Sequence, residues 1–229
     1  MAGTATLASY NIHGAIGRDG AFDPERVGAV LEEIDAGVFA LQEIQTGRTG
    51  HTLIDQFRDR LGAEAISGVT LLREDAEYGN VLLTRYPVRS VERLDLSVPP
   101  HEPRGALDVV LDTGATGLRV LATHLGLWPY ERRRQVRRLL AAIATGPDVP
   151  TVLMGDINEW FLWGRPLRWL HVEFQETPAP ATFPARWPVL ALDRLWVRPH
   201  TALQRLVVHA SSLARVASDH LPLVGTLEW

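Results

Sequence analysis

The segment Thr151-Val-Leu-Met-Gly-Asp-Ile-Asn158 carries no charge over its first five residues and then places two strongly polar side chains two positions apart. An apolar run of this length, Thr151 to Gly155, reads as a strand buried on both faces. If the chain stays extended, Asp156 and Asn158 share one side. A buried carboxylate needs partners, so its place at the carboxyl end of such a strand points to a polar centre at a sheet edge.

The same arrangement recurs along the chain. Ala5 to Ile12 is alternating and β-branched or aromatic enough for a strand, with Asn11 at its end; Val38 to Ile44 reads as a buried strand ending in Glu43. His124 ends the strand Leu118 to Leu125. Asp193 interrupts the apolar run Leu190 to Val197, and Asp219-His220 opens the last strand, Leu221 to Leu227. Singly, each is a turn former or a hydrogen-bonded structural group; together, one shared site accounts for all eight.

Between these strands the pattern alternates with helices at first. Asp23-Pro24 supplies an N-cap and a proline at the first helical position, Val27, Val30, Leu31 and Ile34 form one apolar stripe, and Gly37 closes the helix. A second short helix is expected from Thr52 to Leu61. Strands Ala65–Leu72, Gly79–Thr84, Val88–Leu96 and Ala106–Asp112 then follow one another, punctuated by Gly, Pro, Asp or Arg. Tyr130 to Ala144 returns to helix, with Arg132, Arg133, Arg134, Arg137 and Arg138 expected mostly on its solvated face. Leu162 to His171 is a further short helix; Leu192–Val197 and Leu206–Ala210 are late strands. About ten strands and four helices in mixed order argue for an α+β or layered sandwich, because the run of adjacent strands is too long for a simple doubly wound sheet.

The chain has 229 residues, 46% hydrophobic and 22% charged, with no repeat or linker at which to divide it, so a single domain spanning 1–229 is expected. A chain of this size buries about 70% of its unfolded surface and needs no staple. It contains no cysteine, which excludes thiolate nucleophiles, iron–sulfur clusters, Cys-type zinc sites and disulfides. All 23 basic residues are Arg, while the formal net charge is -4. The Arg usage has two readings, a compositional bias of the source genome and a choice for bidentate phosphate binding. A net negative chain is not a general nucleic-acid binder. Met1 to Leu7 shows no leader pattern and no run of about 18 apolar residues occurs, so a cytoplasmic protein is expected.

Three aspartates with Glu43, two amides and two imidazoles are hard oxygen and nitrogen donors, suited to Mg²⁺ or Mn²⁺ shared with a substrate phosphate. His124 and His220 beside carboxylates suit acid and base work near neutral pH. The combination describes metal-assisted hydrolysis of a phosphate ester.

The segments Ser9-Tyr-Asn-Ile-His13, Leu41-Gln-Glu-Ile44, Tyr78-Gly-Asn-Val-Leu-Leu-Thr-Arg-Tyr-Pro87, Glu102-Pro-Arg-Gly-Ala-Leu107, Ala122-Thr-His-Leu125, Gly155-Asp-Ile-Asn158, Leu192-Asp-Arg-Leu195 and Ser218-Asp-His-Leu221 resemble the endonuclease/exonuclease/phosphatase family, in the family's order, from Ser9 to about Leu223. The resemblance implies a four-layer α/β/β/α sandwich like that of deoxyribonuclease I, two mixed sheets with helices outside. It implies that Glu43 is the principal metal ligand, supported by Asn11 and Asp219, for Mg²⁺ or alternatively Mn²⁺. It gives Asp156 the attacking water, Asn158 a phosphate oxygen, and Asp193 the task of holding a protonated His220. His124 is the second acid or phosphate donor, and which histidine protonates the leaving group stays open. Asn80 and Arg104 are supporting substrate-binding residues, Arg104 as a phosphate clamp.

Substrate must be read from departures. The Thr-His-Leu form at His124 resembles the sphingomyelinase, inositol phosphatase and deoxyribonuclease I branches, and apurinic-site endonucleases typically lack that histidine. In Glu159-Trp-Phe-Leu-Trp-Gly-Arg-Pro-Leu-Arg-Trp169, which holds three of the seven tryptophans, Trp163 and Trp169 are expected to pack a short helix on the sheet. The alternative is an aromatic rim beside the metal. Charge favours a lipid-derived or small phosphodiester, with transient contact to a membrane surface; cleavage of DNA or RNA is the alternative. A non-catalytic binding module is expected to have lost one of Glu43, Asp156, Asn158, Asp193 or His220, and none is missing. His13, His51, His101, His171, His200 and His209 read as ordinary, His13 being placed to line the cleft rim. No feature sets an oligomeric state.

Overall fold

A computed structural model describes residues 3–47, 52–73, 76–114 and 116–229; Met1, Ala2 and His51 lie outside the described residues. In chain order the elements are β1 (Thr4–Asn11), α1 (Pro24–Ile34), β2 (Val38–Gly47), α2 (Leu53–Leu61), β3 (Glu64–Arg73), β4 (Ala76–Thr84), β5 (Val88–Asp95), β6 (Gly105–Leu111), β7 (Leu118–His124), α3 (Pro129–Thr145), β8 (Thr151–Asp156), α4 (Arg165–Phe174), β9 (Asp193–Arg198), β10 (Leu203–Val208), α5 (Ala214–Ala217) and β11 (Leu223–Glu228). They build a six-stranded sheet in the order β10-β11-β1-β2-β4-β3 and a five-stranded sheet in the order β5-β6-β7-β8-β9.

Each sheet has one parallel pair, β1 with β2 and β7 with β8, and is otherwise antiparallel. Each parallel pair is joined by a crossover helix, α1 in one sheet and α3 in the other. Residues alternate between two cores along these strands. Leu7, Val38, Val120 and Val152 face the interlayer core. Ala8 and Phe39 face α1 and α2, where Val27, Val30, Leu31 and Phe57 wait, and Leu121 and Leu153 face Val136, Leu139, Leu167 and Phe174 of α3 and α4. Burial on both faces is why the central strands read as unbroken apolar runs. The result is the expected sandwich of two mixed sheets with helices outside.

Helix ends follow local chemistry. Asp23 accepts the Arg26 N–H at 3.0 Å, and Thr52 and Asp55 form a reciprocal capping box. α1 ends on Asp35 in the left-handed region rather than at Gly37. α4 begins at Arg165, three residues later than expected: Pro166, in the first turn, is where a helix tolerates proline. That leaves Leu162 and Trp163 in a turn, and Trp163 is exposed instead of packed on the sheet, whereas Trp169 is half-buried beneath the Arg137 guanidinium at 4.8 Å. Arg132 also departs from the solvated face assigned to it: it is buried, and its Nε donates to Glu159 at 3.2 Å. Among the described residues no helix is long and apolar enough to cross a membrane.

Candidate active site

Parallel strands end at the same edge, so the two crossovers bring the polar strand ends Asn11 of β1, His124 of β7 and Asp156 of β8 to one rim of the sandwich; Glu43 joins them from inside β2, which runs on to Gly47 and does not end there as the sequence suggested. Asp193 starts β9, antiparallel to β8 and paired with Asp156, which puts it on that rim too. Local irregularities aim the groups. The β2–β4 register slips between Leu41 and Ile44, and Glu43 sits there at φ +58°. A bulge of this kind redirects a side chain that regular pleating would turn into the core. Asn158 takes φ +54°, which Asn tolerates, and Gly155 is required because a Cβ there would stand 1.8 Å from the Thr123 carbonyl oxygen.

The centre of the cluster is Asp156 Oδ2. It accepts from Asn11 Nδ2 at 3.1 Å, with Nε2 of His124 at 3.6 Å and Nε2 of His220 at 3.7 Å. The other oxygen accepts the Asn158 backbone N–H at 3.0 Å. His220 is oriented from behind: its Nδ1 lies 2.8 Å from Asp193 Oδ2, which also accepts from Thr182 Oγ1 at 2.5 Å, and its ring rests on Phe183 with centroids 4.8 Å apart. Ser218 donates to the Asn11 carbonyl at 2.7 Å and braces the loop that carries His220.

Burial and charge separate the two histidines. Burial alone disfavours a charged His220 ring, but the carboxylates of Asp193, Asp156 and Asp219 outweigh it and push the pKa up to about 10. His124 moves the other way, well below the ordinary value, through burial and the neighbouring charges of Arg104 and His220. Asp156 is raised to about 6, burial outweighing the attraction of His220 and the hydrogen bonds from Asn11 and the Asn158 backbone. At neutral pH the rim therefore holds a cationic His220, a neutral His124 and an ionised Asp156.

Glu43 faces a small recess shared with Thr70, Tyr78, Asn80, Arg104, Gly105 and His124. Its carboxylate accepts from Asn11 Nδ2 at 3.0 Å and from the Tyr78 hydroxyl, whose pKa burial and this carboxylate push up. Asn11 must turn its nitrogen to two carboxylates, and its oxygen accepts the His13 N–H at 3.1 Å, so the side chain ties Glu43 to Asp156 rather than turning an oxygen toward Glu43. Asp219 is half-buried and faces Ser218 at 3.3 Å and His13 at 4.0 Å. A carboxylate has about four lone-pair sites, and the two contacts at Glu43 leave it able to hold a hard cation. The donor set, with no thiol in the chain, fits Mg²⁺ or Mn²⁺. Among the described residues, Asp156, Asp193 and His220 also offer ligand atoms within 4.8 Å of one another. Their contacts are those of a hydrogen-bonded relay, and a protonated His220 is no metal ligand.

Arg104 lies across the recess. Its Nη1 is 3.1 Å from His124 Nδ1 and 3.7 Å from Glu102, and its Nε is buried without a partner among the described residues. Asn80 donates to the Gly105 carbonyl at 3.3 Å, beside the same guanidinium. Sequence reasoning missed Tyr78, although its spacing of two from Asn80 on β4 was a readable signal that the two share a face. It also missed Thr182, Phe183 and Ser218, which hold site residues without any polar strand-end signature.

Comparison with known proteins agrees with this architecture. Residues 8–220 match the model of the Endonuclease/Exonuclease/phosphatase family. The chain is 29% identical over 213 residues to the uncharacterized protein YbhP of Escherichia coli strain K12, covering 84% of this chain and 83% of YbhP. The endonuclease/exonuclease/phosphatase of Beutenbergia cavernae superposes with a TM-score of 0.78 at 23% identity, over 98% of this chain and 71% of that one. The human Nocturnin catalytic domain, solved with a bound sulfate anion, superposes with a TM-score of 0.73 at 18% identity, over 98% and 93%. By the match of its residues 8–220 and by its two-sheet sandwich, the chain belongs to the endonuclease/exonuclease/phosphatase family.

Proposed function

We propose that this protein is a Mg²⁺- or Mn²⁺-dependent phosphodiesterase whose substrate is a small or lipid-derived phosphodiester. The observation that carries the reading is the placement of Asp156 Oδ2 3.6 Å from Nε2 of His124 and 3.7 Å from Nε2 of His220, with Arg104 Nε unpartnered beside them. Displacement at phosphorus needs a base on the entering side and charge neutralisation around the phosphoryl oxygens. Asp156 orients the attacking water and takes its proton. Asn158 and Arg104 hold phosphate oxygens, Asn80 supports Arg104, and His220, locked by Asp193, presents its Nε2–H to the phosphoryl centre. His124, neutral, serves as a hydrogen-bonding neighbour. Glu43, with Asp219, would hold the cation, which when bound supplies positive charge at the phosphoryl oxygens.

A small substrate is supported by what adjoins the recess. Asn80, Arg104 and Gly105 also line a groove of about 260 Å³ that runs to Val69, Arg93 and Asp95. Ligand pockets usually span about 300–1,000 Å³, so this groove suits a group of head-group size. The experiment is hydrolysis of bis(p-nitrophenyl) phosphate with Mg²⁺, Mn²⁺ or chelator, then a panel of phosphatidylglycerol, sphingomyelin, inositol phosphates, plasmid DNA and RNA. Metal-dependent turnover with preference for the lipid or small diesters is expected. Rapid nicking of plasmid without lipid hydrolysis reverses the substrate assignment, and turnover surviving chelation removes the cation from it.

A further inference from the structure

Two loops leave the sheet directly after site residues and carry large apolar side chains into solvent. Leu127 and Trp128 lie between β7 and α3, and Trp160, Phe161, Leu162 and Trp163 lie between β8 and α4; each is 56% to 72% exposed. Large apolar side chains grouped on two loops, rather than scattered singly over a surface, mark an interaction site. The loops are braced and tied to each other. Arg132 Nη1 donates to the carbonyls of Gly126 at 3.2 Å and Leu127 at 2.5 Å, while its Nε donates to Glu159. Glu159 in turn accepts the Phe161 N–H at 3.3 Å, and a Cβ on Gly164 would stand 2.5 Å from the Glu159 carboxyl carbon. A buried ion pair and a close-packed glycine hold the apolar side chains outward.

Exposed charge on the helices after these loops is mostly positive. Arg133, Arg134, Arg137 and Arg138 of α3 and Arg165 and Arg168 of α4 are exposed or half-exposed, whereas Glu131 and Glu159 are buried and bonded to Gln135 and Arg132, and Glu173, near the far end of α4, is paired with Arg198. This local excess stands on a chain of net charge -4. Tryptophan and other aromatic side chains flanked by arginine favour the interface of an anionic bilayer, where the rings sit at head-group depth and the guanidinium groups meet phosphates. Single-stranded nucleic acid fits less well. Leu127 and Leu162 have no π-face, and His101 covers one face of Trp128 with centroids at 6.2 Å while Phe161 lies against Trp163 at 5.4 Å.

We infer that the two loops dock the protein on the surface of an anionic phospholipid membrane, with the rim of Asp156 and His220 beside the head groups. The inference rests on the phosphodiesterase reading, which gives such docking its use, and it is tested without turnover. Full-length protein is sedimented with vesicles of phosphatidylglycerol and phosphatidylcholine, and with phosphatidylcholine alone. Co-sedimentation is expected with the anionic vesicles and weakens as salt is raised. The doubly substituted W160S/W163S protein should lose at least tenfold in vesicle affinity and hydrolyse bis(p-nitrophenyl) phosphate at the wild-type rate. R133E/R134E should remove the preference for anionic vesicles with the melting temperature unchanged. Absence of wild-type vesicle binding overturns the inference; binding to oligo(dT) in its place assigns the surface to nucleic acid, and a dimer dissolved by W160S/W163S assigns it to a second copy. Vesicle binding without hydrolysis of any diester supports docking and overturns the phosphodiesterase reading instead.

Discussion

Nη1 of Arg104 stands 3.1 Å from Nδ1 of His124. A guanidinium only donates, so Nδ1 is the acceptor and the ring proton sits on Nε2. Nε2, carrying the proton, lies 3.6 Å from Asp156 Oδ2, and Asn158 Nδ2, 3.1 Å from it, donates to the Leu125 carbonyl at 2.9 Å. A neutral ring has one acceptor nitrogen, so Arg104 and Asn158 cannot both donate to it. A second ring proton, on Nδ1, would point at the guanidinium, which together with burial keeps His124 neutral. An entering phosphate gives Arg104 a better acceptor than His124, and its unpartnered Nε becomes the second tine of a bidentate fork. Arg104→Ala should lower kcat/KM on the order of 10²-fold, the usual effect of removing one donor from a developing anion. Arg104→Lys should restore only part, because a point charge lacks the fork. Competitive inhibition by inorganic phosphate should weaken in both variants; unchanged inhibition would detach Arg104 from the phosphate.

His220 and Asp193 set the alkaline side of the pH profile. With its pKa pushed up to about 10, the ring stays protonated through neutral pH. Asp193→Asn removes the strongest of the attractions that offset burial, and nearby charges move a pKa by about 1–3 units. The alkaline limb of kcat/KM should therefore move down by about that much. Stability follows the same linkage: a pKa raised in the folded state stabilises fully below the ordinary value of 6.5 and loses that contribution as pH rises through about 10. Melting temperature in the wild type should fall across that window, and in Asp193→Asn the fall should be smaller and end at lower pH. Identical alkaline limbs in the two proteins would show that another group sets it.

Cation binding can be read without catalysis. A ligand that binds only the folded state stabilises it by about 2.7 kcal/mol at 100 times its Kd. Mg²⁺ or Mn²⁺ should raise the melting temperature of the wild type, and Glu43→Gln should abolish most of that shift while retaining the fold, since glutamine keeps the volume and can still accept from Asn11 and Tyr78. Turnover by this variant should drop by orders of magnitude. His220→Ala should match it in lost turnover yet keep the thermal response to the cation. An equal metal shift in Glu43→Gln and wild type would place the cation elsewhere.

What the sequence made legible has a physical basis. Strands buried on both faces must be apolar, so a polar residue at the end of one stands out, and Asn11, His124 and Asp156 do end strands at one rim; Glu43 joins them at a register slip inside β2. Caps are local chemistry, so Asp23 and Thr52 were readable as well. Contacts that depend on distant partners were not. Arg132 looks like its neighbours Arg133 and Arg134 in sequence, yet Glu159, 27 residues on, draws it into the interior. Trp163 was expected under a helix because aromatic residues usually pack, and the late start imposed by Pro166 left it outside. The Tyr78 contact to Glu43 depends on a register slip that periodicity does not reveal.

Stability should hinge on a second buried pair, away from the rim. Arg119 of β7 is 2% exposed, and its Nε and Nη2 bond both oxygens of Asp108 on β6, at 2.8 and 2.5 Å. The same guanidinium donates to the carbonyls of Ala142 and Ile143 in the last turn of α3, alongside Thr145 Oγ1 and the Gly146 N–H. Gly146 leaves room for it, since a Cβ there would stand 1.8 Å from Nη1. Removing one partner of a buried pair strands the other charge and costs about 3–5 kcal/mol, whereas replacing both with apolar groups of similar volume is often neutral. Asp108→Ala should therefore lower the free energy of urea unfolding by about that amount, and D108L/R119M should recover part of it, short of full recovery because the carbonyls of Ala142 and Ile143 each lose one donor. Folded Asp108→Ala protein should keep the wild-type KM, because neither residue contacts the recess at Glu43. A loss under about 1 kcal/mol would mean that the α3 carbonyls, and not Asp108, compensate the charge of Arg119.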